Sequence, residues 1–251
     1  MLILLSLTLL LPLSPQDYWW YLRLGQDVAT TGSVPTLDTY SFTRAGAPFF
    51  YQSWLAALLF WKIYQAGGIA LTFFLRAVIV AVTYTLLWAL VRNAGAGPRL
   101  ASLLVLLAAL AGSNNWSFRP QLFIYPIFVL VLFILTKWTQ GKKRGLWILP
   151  VLSMLWVNLH GSFPLFFSLG AFAFLFGQGD KKQLAFALGI SSVTLFINPH
   201  GLYVLGYVKD MLSASSNQLF SIEWQPMVNR GWQANLFYLW LLLFIQLQLI
   251  H

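Results

Sequence analysis

The chain contains no cysteine. Disulfides, thiol nucleophiles and thiolate metal sites are therefore excluded. Charge is almost as scarce: 8% of the 251 residues are Asp, Glu, Lys or Arg, against about 25% in an ordinary soluble domain. The six acids are few enough to name: Asp17, Asp27, Asp38, Asp180, Asp210 and Glu223. What fills the space is apolar, with 59% hydrophobic residues, 21 Phe and 12 Trp. So few polar groups cannot cover that much apolar surface in water, and the same hydrophobicity excludes an intrinsically disordered chain. The composition predicts an integral membrane protein with several spans.

Apolar runs cover residues 1–13, 68–91, 100–112, 122–136, 146–159, 163–176, 184–197 and 236–250. A weaker amphipathic run, Trp54–Tyr64, precedes the second. The fold class expected is all-α: a single membrane domain over 1–251, a polytopic transmembrane helical bundle of about eight spans. One outer loop, 14–67, carries amphipathic interfacial helices, and another covers 198–235. The run 1–13 has the length of a signal-peptide core but no basic residue before it and no clear small-x-small cleavage site after it. It is read as a retained first span.

Basic residues orient the bundle, because they favour cytoplasmic loops. Arg92 and Arg99 flank one loop, Lys137, Lys142, Lys143 and Arg144 crowd a second, and Lys181 and Lys182 mark a third. These alternate with basic-poor breaks near Asn114–Arg119, His160–Ser162 and Asn198–Gly201. Eight spans with both termini cytoplasmic satisfy the pattern. The net charge of +9 is then mostly topological, with attraction to anionic lipid. No soluble basic face with interleaved aromatics points to nucleic acid.

Several runs are too short. Fourteen residues rise about 21 Å at 1.5 Å each, less than the ~30 Å hydrocarbon core. Polar backbone at that depth is tolerated where protein buries it or a wet cavity meets it. The outer ends of several helices are thus expected to enclose a sunken cleft, the plain alternative being tilted helices or a thinned bilayer. The polar motifs all fall on that outer side: Asp17-Tyr18-Trp19-Trp20, Asn114 to Gln121, Asn158-Leu159-His160-Gly161-Ser162, Asn198-Pro199-His200-Gly201 and Glu223-Trp224-Gln225-Pro226.

Asp17 has two readings, an N-cap for the helix Tyr18–Thr30 or a general base at the mouth of the cleft. Glu223 is either a solvated loop acid or a second carboxylate and substrate clamp. His160 and His200 sit in Gly-containing breaks. With Asp17 they form a donor set competent for a divalent metal, but the spacing matches no metal motif, and hydrogen bonding to a phosphate or sugar suits them better. Arg119 either snorkels to headgroups or holds a phosphate. Arg76 lies eight residues inside the second span, roughly 12 Å deep at 1.5 Å per residue. A charge there is costly unless it faces a wet interior, pairs or snorkels, so it is a candidate site for the phosphate of a lipid carrier.

With these residues in place, the chain resembles the GT-C superfamily of multispanning glycosyltransferases, which take sugars from polyprenyl-phosphate carriers and place an essential acid directly after the first span. The order of an acid with Trp19-Trp20, Arg119-Pro120-Gln121, Asn158-Leu159-His160-Gly161, Asn198-Pro199-His200-Gly201 and Glu223-Trp224-Gln225 is similar to a group of bacterial membrane proteins described as mannosyltransferase-like. Asp17, Arg119, Gln121, His160 and His200 stand in that pattern. Pro15 stands where the group has an earlier acid, Tyr21 where it has a histidine, and Gln52-Ser53-Trp54 where it has His-Glu-Trp. The chain also ends soon after its eighth span, as a shortened member would.

The resemblance implies transfer of a sugar from a polyprenyl-phosphate-linked donor, on the extracytoplasmic side of a bacterial inner membrane, to a glycan, lipid or protein acceptor. Asp17 would be the base. Arg76, Arg119 and His160 would hold the phosphate, Gln121, His200 and Glu223 would contact substrate, and Trp19, Trp54 or Trp224 would stack on sugar faces. The prenyl tail would lie among the Phe-rich helices such as 163–176, unless those rings simply face lipid. A carrier or flippase for a lipid-linked anion would use the same cleft without bond chemistry, and an inactive envelope-assembly subunit would fit the missing acids.

Overall fold

A computed structural model describes residues 17–142, 145–214, 219 and 231–250. The expected first span and Glu223 lie outside the described residues. Among the described residues the chain forms nine α-helices and no strand; the one pairing of extended backbone is an isolated bridge between Leu37 and Pro48. The helices are α1 (Tyr18–Thr31), α2 (Trp54–Asn93), α3 (Pro98–Ala111), α4 (Ile124–Thr139), α5 (Leu149–Leu159), α6 (Pro164–Phe176), α7 (Lys181–Thr194), α8 (Tyr203–Ser213) and α9 (Trp232–Ile250). Among the described residues, two stretches are long and apolar enough to cross a membrane, Trp54–Asn93 and Pro120–Thr139. The second is α4 with the 3-10 turn Pro120–Phe123 before it.

The boundaries follow local chemistry. Proline opens α3, α5 and α6 near their first position, where its missing N–H costs nothing. Asp180 caps α7 by accepting from the Lys182 and Gln183 N–H groups, so that helix starts at Lys181, three residues before the apolar run does. The outer loop expected over 198–235 contains a helix, α8, that the run-by-run reading passed over. Its apolar positions are interrupted by Lys209 and Asp210, so no continuous run marks it.

The amphipathic segment Trp54–Tyr64 and the second apolar run are two halves of α2. They meet at Gly67 and Gly68, whose backbones leave helical geometry. Gly68 has φ 60° and ψ −153°, a region essentially reserved for glycine. The Thr72 hydroxyl donates to the Gly68 carbonyl at 3.0 Å and pairs with the Tyr18 hydroxyl at 2.8 Å. The break is therefore tied to α1, which lies against the first half of α2 through Tyr18, Tyr21, Leu22, Ala57 and Phe60.

Small residues bring the other helices together. Ala101, Val105 and Ala109 form the buried stripe of α3, a spacing that admits close backbone approach where apolar burial alone gives little drive. A second core joins α4 to α7 around Trp138, Trp156, Phe166 and Leu184. Outside these contacts the surface stays apolar: Phe172, Leu175, Phe176, Phe186 and Val193 are all exposed on α6 and α7. Exposed apolar residues on neighbouring helices mark a lipid- or partner-facing surface.

The two ends of the bundle differ. At one end the basic loops meet: Asn93 and Gln140 exchange hydrogen bonds at 3.1 and 3.4 Å, and the Trp138 indole donates to the Asp180 carbonyl at 3.2 Å. Among the described residues, the motifs of Asp17, Arg119, His160 and His200 lie at the other.

Candidate functional site

Asp17 does not cap α1; its side chain makes no hydrogen bond to the helix start. The carboxylate instead reaches Arg119 at 3.1 Å, with the Asp17 side chain 52% exposed and the Arg119 side chain 20% exposed. The pair joins the start of α1 to the segment between α3 and α4. Tyr21, one turn along α1, lies beside Asp17, whose charge acts on its phenol, and packs on Tyr51 at 6.4 Å between ring centroids. Burial, then the Asp17 charge, pushes its phenol up to about 12. It stays protonated near pH 7. Burial likewise holds the Tyr51 phenol well above its ordinary range, helped by Tyr21, Tyr207 and Asp17.

Segment 50–54 is the hub that links the remaining motifs. His200 lies 3.4 Å from the Tyr51 carbonyl and packs its ring on Phe50 at 3.9 Å between centroids. Phe50 also stacks on Tyr207 of α8 at 4.8 Å. Gln52, 2% exposed, donates to the Val157 carbonyl of α5. The Trp54 indole donates to Asn158 Oδ1 at 2.8 Å. Asn158 in turn donates to the carbonyls of Met154 and Ile197, both at 2.8 Å. One amide thus closes the start of α2, the end of α5 and the segment after α7 into a single unit.

His160 follows α5 as its C-terminal flank. Its Nδ1 accepts the Ser162 N–H at 3.1 Å and lies 2.8 Å from the Ser162 hydroxyl. An accepting Nδ1 makes Nε2–H the donor tautomer. Burial pushes the imidazole down to about 4, so it is neutral near pH 7. His200 is also lowered, by burial, with a smaller opposing effect from the Tyr51 backbone.

Arg76 is 2% exposed. Its guanidinium lies between the rings of Phe73 and Phe118, 4.7 Å from each centroid, a geometry that compensates part of the desolvation of a cation. Phe118 precedes Arg119 in the chain, and its ring also packs on Tyr18, next to Asp17, at 5.3 Å between centroids. Trp54 spends its N–H on Asn158, which gives it a structural task beside any contact with sugar. Trp19 is half exposed on α1, edge-on to Tyr64 at 6.2 Å. Gln121 sits partly buried in the turn Pro120–Phe123, two residues from Arg119.

The structure thus brings Asp17 and Arg119 into direct contact and connects them to His200 through Tyr21 and Tyr51. His160 joins through its neighbour Gly161, where an added Cβ would lie 3.4 Å from both Gln52 Oε1 and the Tyr207 ring. Tyr51, Gln52, Asn158 and Tyr207 are participants that the motif reading did not select for a role. Gln52 and Asn158 carry the signal of buried amides flanking apolar runs; Tyr51 and Tyr207 carry none at the level of a single sequence. Among the described residues no group of three His, Cys, Asp or Glu side chains gathers to hold a metal. The Asp17–His160–His200 donor set therefore does not fit a metal. Comparison with protein-family models, with curated proteins and with solved structures finds no match.

Proposed function

We propose that the chain is an eight-span protein of a bacterial inner membrane, with both termini cytoplasmic, that transfers a sugar from a polyprenyl-phosphate carrier to an acceptor on the extracytoplasmic side. The observation that carries this reading is the orientation of Asp17: a carboxylate at a helix start that leaves the free N–H groups unused and turns to an arginine across the site. In this arrangement the acceptor hydroxyl attacks the anomeric carbon and its proton passes to Asp17. The bond from the anomeric carbon to the phosphate oxygen breaks, and the phosphate leaves with the electron pair. Arg119 and Arg76 offset the charge that develops on that oxygen. Tyr21 stands beside the base as a neutral phenol. One carboxylate suffices for a single displacement without a covalent intermediate.

The test uses the full chain in liposomes, polyprenyl-phosphate mannose or glucose with the sugar radiolabelled, and envelope membranes as acceptor source. Transfer is read as label leaving the organic-extractable carrier. Asp17→Asn should lower turnover about 100-fold or more while carrier binding persists. Carrier binding without transfer by the wild type overturns the enzymatic reading in favour of a carrier or flippase; equal turnover by Asp17→Asn removes Asp17 as base.

A further inference from the structure

A cavity of about 260 Å³ is lined by Pro48, Phe49, Phe50, His200 and Tyr203. Local chemistry builds it. The Asn198 side chain accepts the His200 N–H at 2.8 Å and donates to the carbonyls of Leu195 and Gly201 at 2.6 and 3.3 Å, which folds the Asn-Pro-His-Gly segment back on itself. The His200 carbonyl accepts the Tyr203 N–H at 3.1 Å, so α8 begins on this turn and sets its first residue beside the imidazole. Phe50 is the common wall: its ring centroid lies 3.9 Å from that of His200 and 5.2 Å from that of Tyr203. Tyr203 is exposed. The imidazole keeps one open function. Its Nε2 lies 3.4 Å from the Tyr51 carbonyl, and a carbonyl can only accept. Burial holds the ring below its usual range, so near pH 7 it is neutral, with its proton on Nε2 and a lone pair on Nδ1. No group among the described residues donates to that lone pair.

We infer that this cavity is a saccharide subsite, in which one pyranose ring stacks on the Phe50–Tyr203 wall and donates a hydroxyl hydrogen bond to His200 Nδ1. A pyranose offers a face of C–H groups and a rim of hydroxyls, which matches aromatic rings set beside a single hydrogen-bond acceptor. Sites for drug-sized ligands measure about 300–1,000 Å³, so the smaller cavity here suits one ring. Its lining carries no guanidinium or ammonium to hold a phosphate and no carboxylate to hold a cation. The position gives the sugar a role. Tyr51, whose carbonyl faces His200, packs its ring on Tyr21, and Tyr21 lies beside Asp17. The cavity thus lies across Tyr51 from the carboxylate, and none of the residues assigned to the donor phosphate is in its lining. The bound saccharide is the acceptor, an assignment that rests on the reading of the protein as a sugar transferase. Of a glycan, a lipid or a protein acceptor, this selects a glycan.

The experiment uses the full chain in lipid nanodiscs and the methyl glycosides of mannose, glucose, galactose and N-acetylglucosamine, with binding read by saturation-transfer NMR. At least one glycoside should bind, with the strongest transfer to the C–H groups of one ring face. Tyr203→Ala, at an exposed position, should weaken that binding at least about fivefold. His200→Phe keeps a ring against Phe50 and removes the nitrogen; it should weaken binding about as much and gives a second reading should the first variant disturb α8. In the transfer assay Tyr203→Ala should raise the KM for acceptor and leave the KM for the polyprenyl-phosphate sugar unchanged. No binding of any of the four glycosides by the wild type, undiminished binding in both variants, binding of choline in place of every glycoside, or a raised KM for the donor alone overturns the proposal. Binding does not require turnover, so Asp17→Asn should bind the glycoside like the wild type. A wild type that binds a glycoside through Tyr203 and His200 but never transfers would sink the enzymatic reading and leave the saccharide subsite standing.

Discussion

Gly25 offers the sharpest test of how the fold places Asp17. A Cβ at this position would lie 2.1 Å from the Ala57 carbonyl oxygen and 2.6 Å from its carbon. Ordinary contact begins at about 3.4 Å, so Gly25→Ala requires α1 and α2 to separate by roughly 1.3 Å. The obstacle is helix backbone, which cannot swing aside as a side chain does. Overpacking of this kind costs about 1–3 kcal/mol, and a backbone obstacle belongs at the upper end. Asp17 lies eight residues along the same rigid helix, about 12 Å away at 1.5 Å per residue. A lift of about 1 Å there would stretch the 3.1 Å contact with Arg119 to about 4 Å, past hydrogen-bond reach. Gly25→Ala should therefore melt lower in detergent than the wild type and lose sugar transfer beyond what residual folding explains. Gly189→Ala, in α7 with nothing within 4 Å of its added Cβ, is the matched control and should melt at or slightly above the wild type, since alanine favours helix over glycine. An unchanged melting temperature for Gly25→Ala would refute the close α1–α2 packing and the placement of Asp17 that follows from it.

Three further outcomes are expected. Asn158→Leu removes three hydrogen bonds, including those to the buried ends of α5 and the segment after α7, and should cost about 2–3 kcal/mol in denaturant or thermal titration; a loss under about 0.5 kcal/mol would mean the amide does not tie these segments. His160 has a folded-state pKa of about 4, below an ordinary value near 6.5. The unfolded chain then binds more protons between those values, so stability is full above about 6.5 and falls as pH drops toward 4, by up to about 3 kcal/mol. His160→Gln should flatten that part of the pH profile, and an unchanged slope would show that the imidazole is not the group responsible. Because the chain lacks cysteine, single thiols report topology cleanly. Asn114→Cys, exposed beside the polar corner, should react with an impermeant reagent on intact cells, whereas Lys142→Cys, exposed at the basic end, should react only after lysis; the reverse would invert the orientation.

Most helix bodies were legible because apolar length is a local property. The runs 100–112, 122–136, 146–159, 163–176 and 184–197 each coincide with a helix to within a few residues. Discrepancies at the ends trace to caps and turns: Asp180 draws α7 forward, and Leu146–Ile148 forms a 3-10 turn before α5. The Gly67–Gly68 break was legible too, since two adjacent glycines separate an amphipathic run from an apolar one. What the pattern could not give was the wiring. Tyr51 to His200, Trp54 to Asn158 and Arg76 to Phe118 are contacts across 149, 104 and 42 positions, and nothing local at either partner announces the other. The same holds for α8, whose Tyr207 reaches Phe50 only after the chain has turned back.

This division bears on the departures from the glycosyltransferase pattern. Where that pattern has a histidine, this chain has Tyr21, whose phenol lies beside the Asp17 charge; where it has His-Glu, Gln52 and Ser53 pair with each other at 3.3 Å and Gln52 reaches α5. On the proposed reading, the corner around Asp17 and Arg119 is built from neutral side chains and holds no second acid among the described residues. Such a site would depend on Tyr21 for what a cation would otherwise do, namely fixing the carboxylate. Tyr21→Phe keeps the ring that stacks on Phe60 at 6.1 Å and removes the hydroxyl alone. It should leave the melting temperature within about 2 °C of wild type, since a half-exposed partner loses little from one hydrogen bond, yet reduce turnover about tenfold or more. Chelators should change neither variant. Full turnover in Tyr21→Phe, or loss of wild-type turnover to a chelator with recovery on adding a divalent cation, would show that the neutral corner does not substitute for a metal.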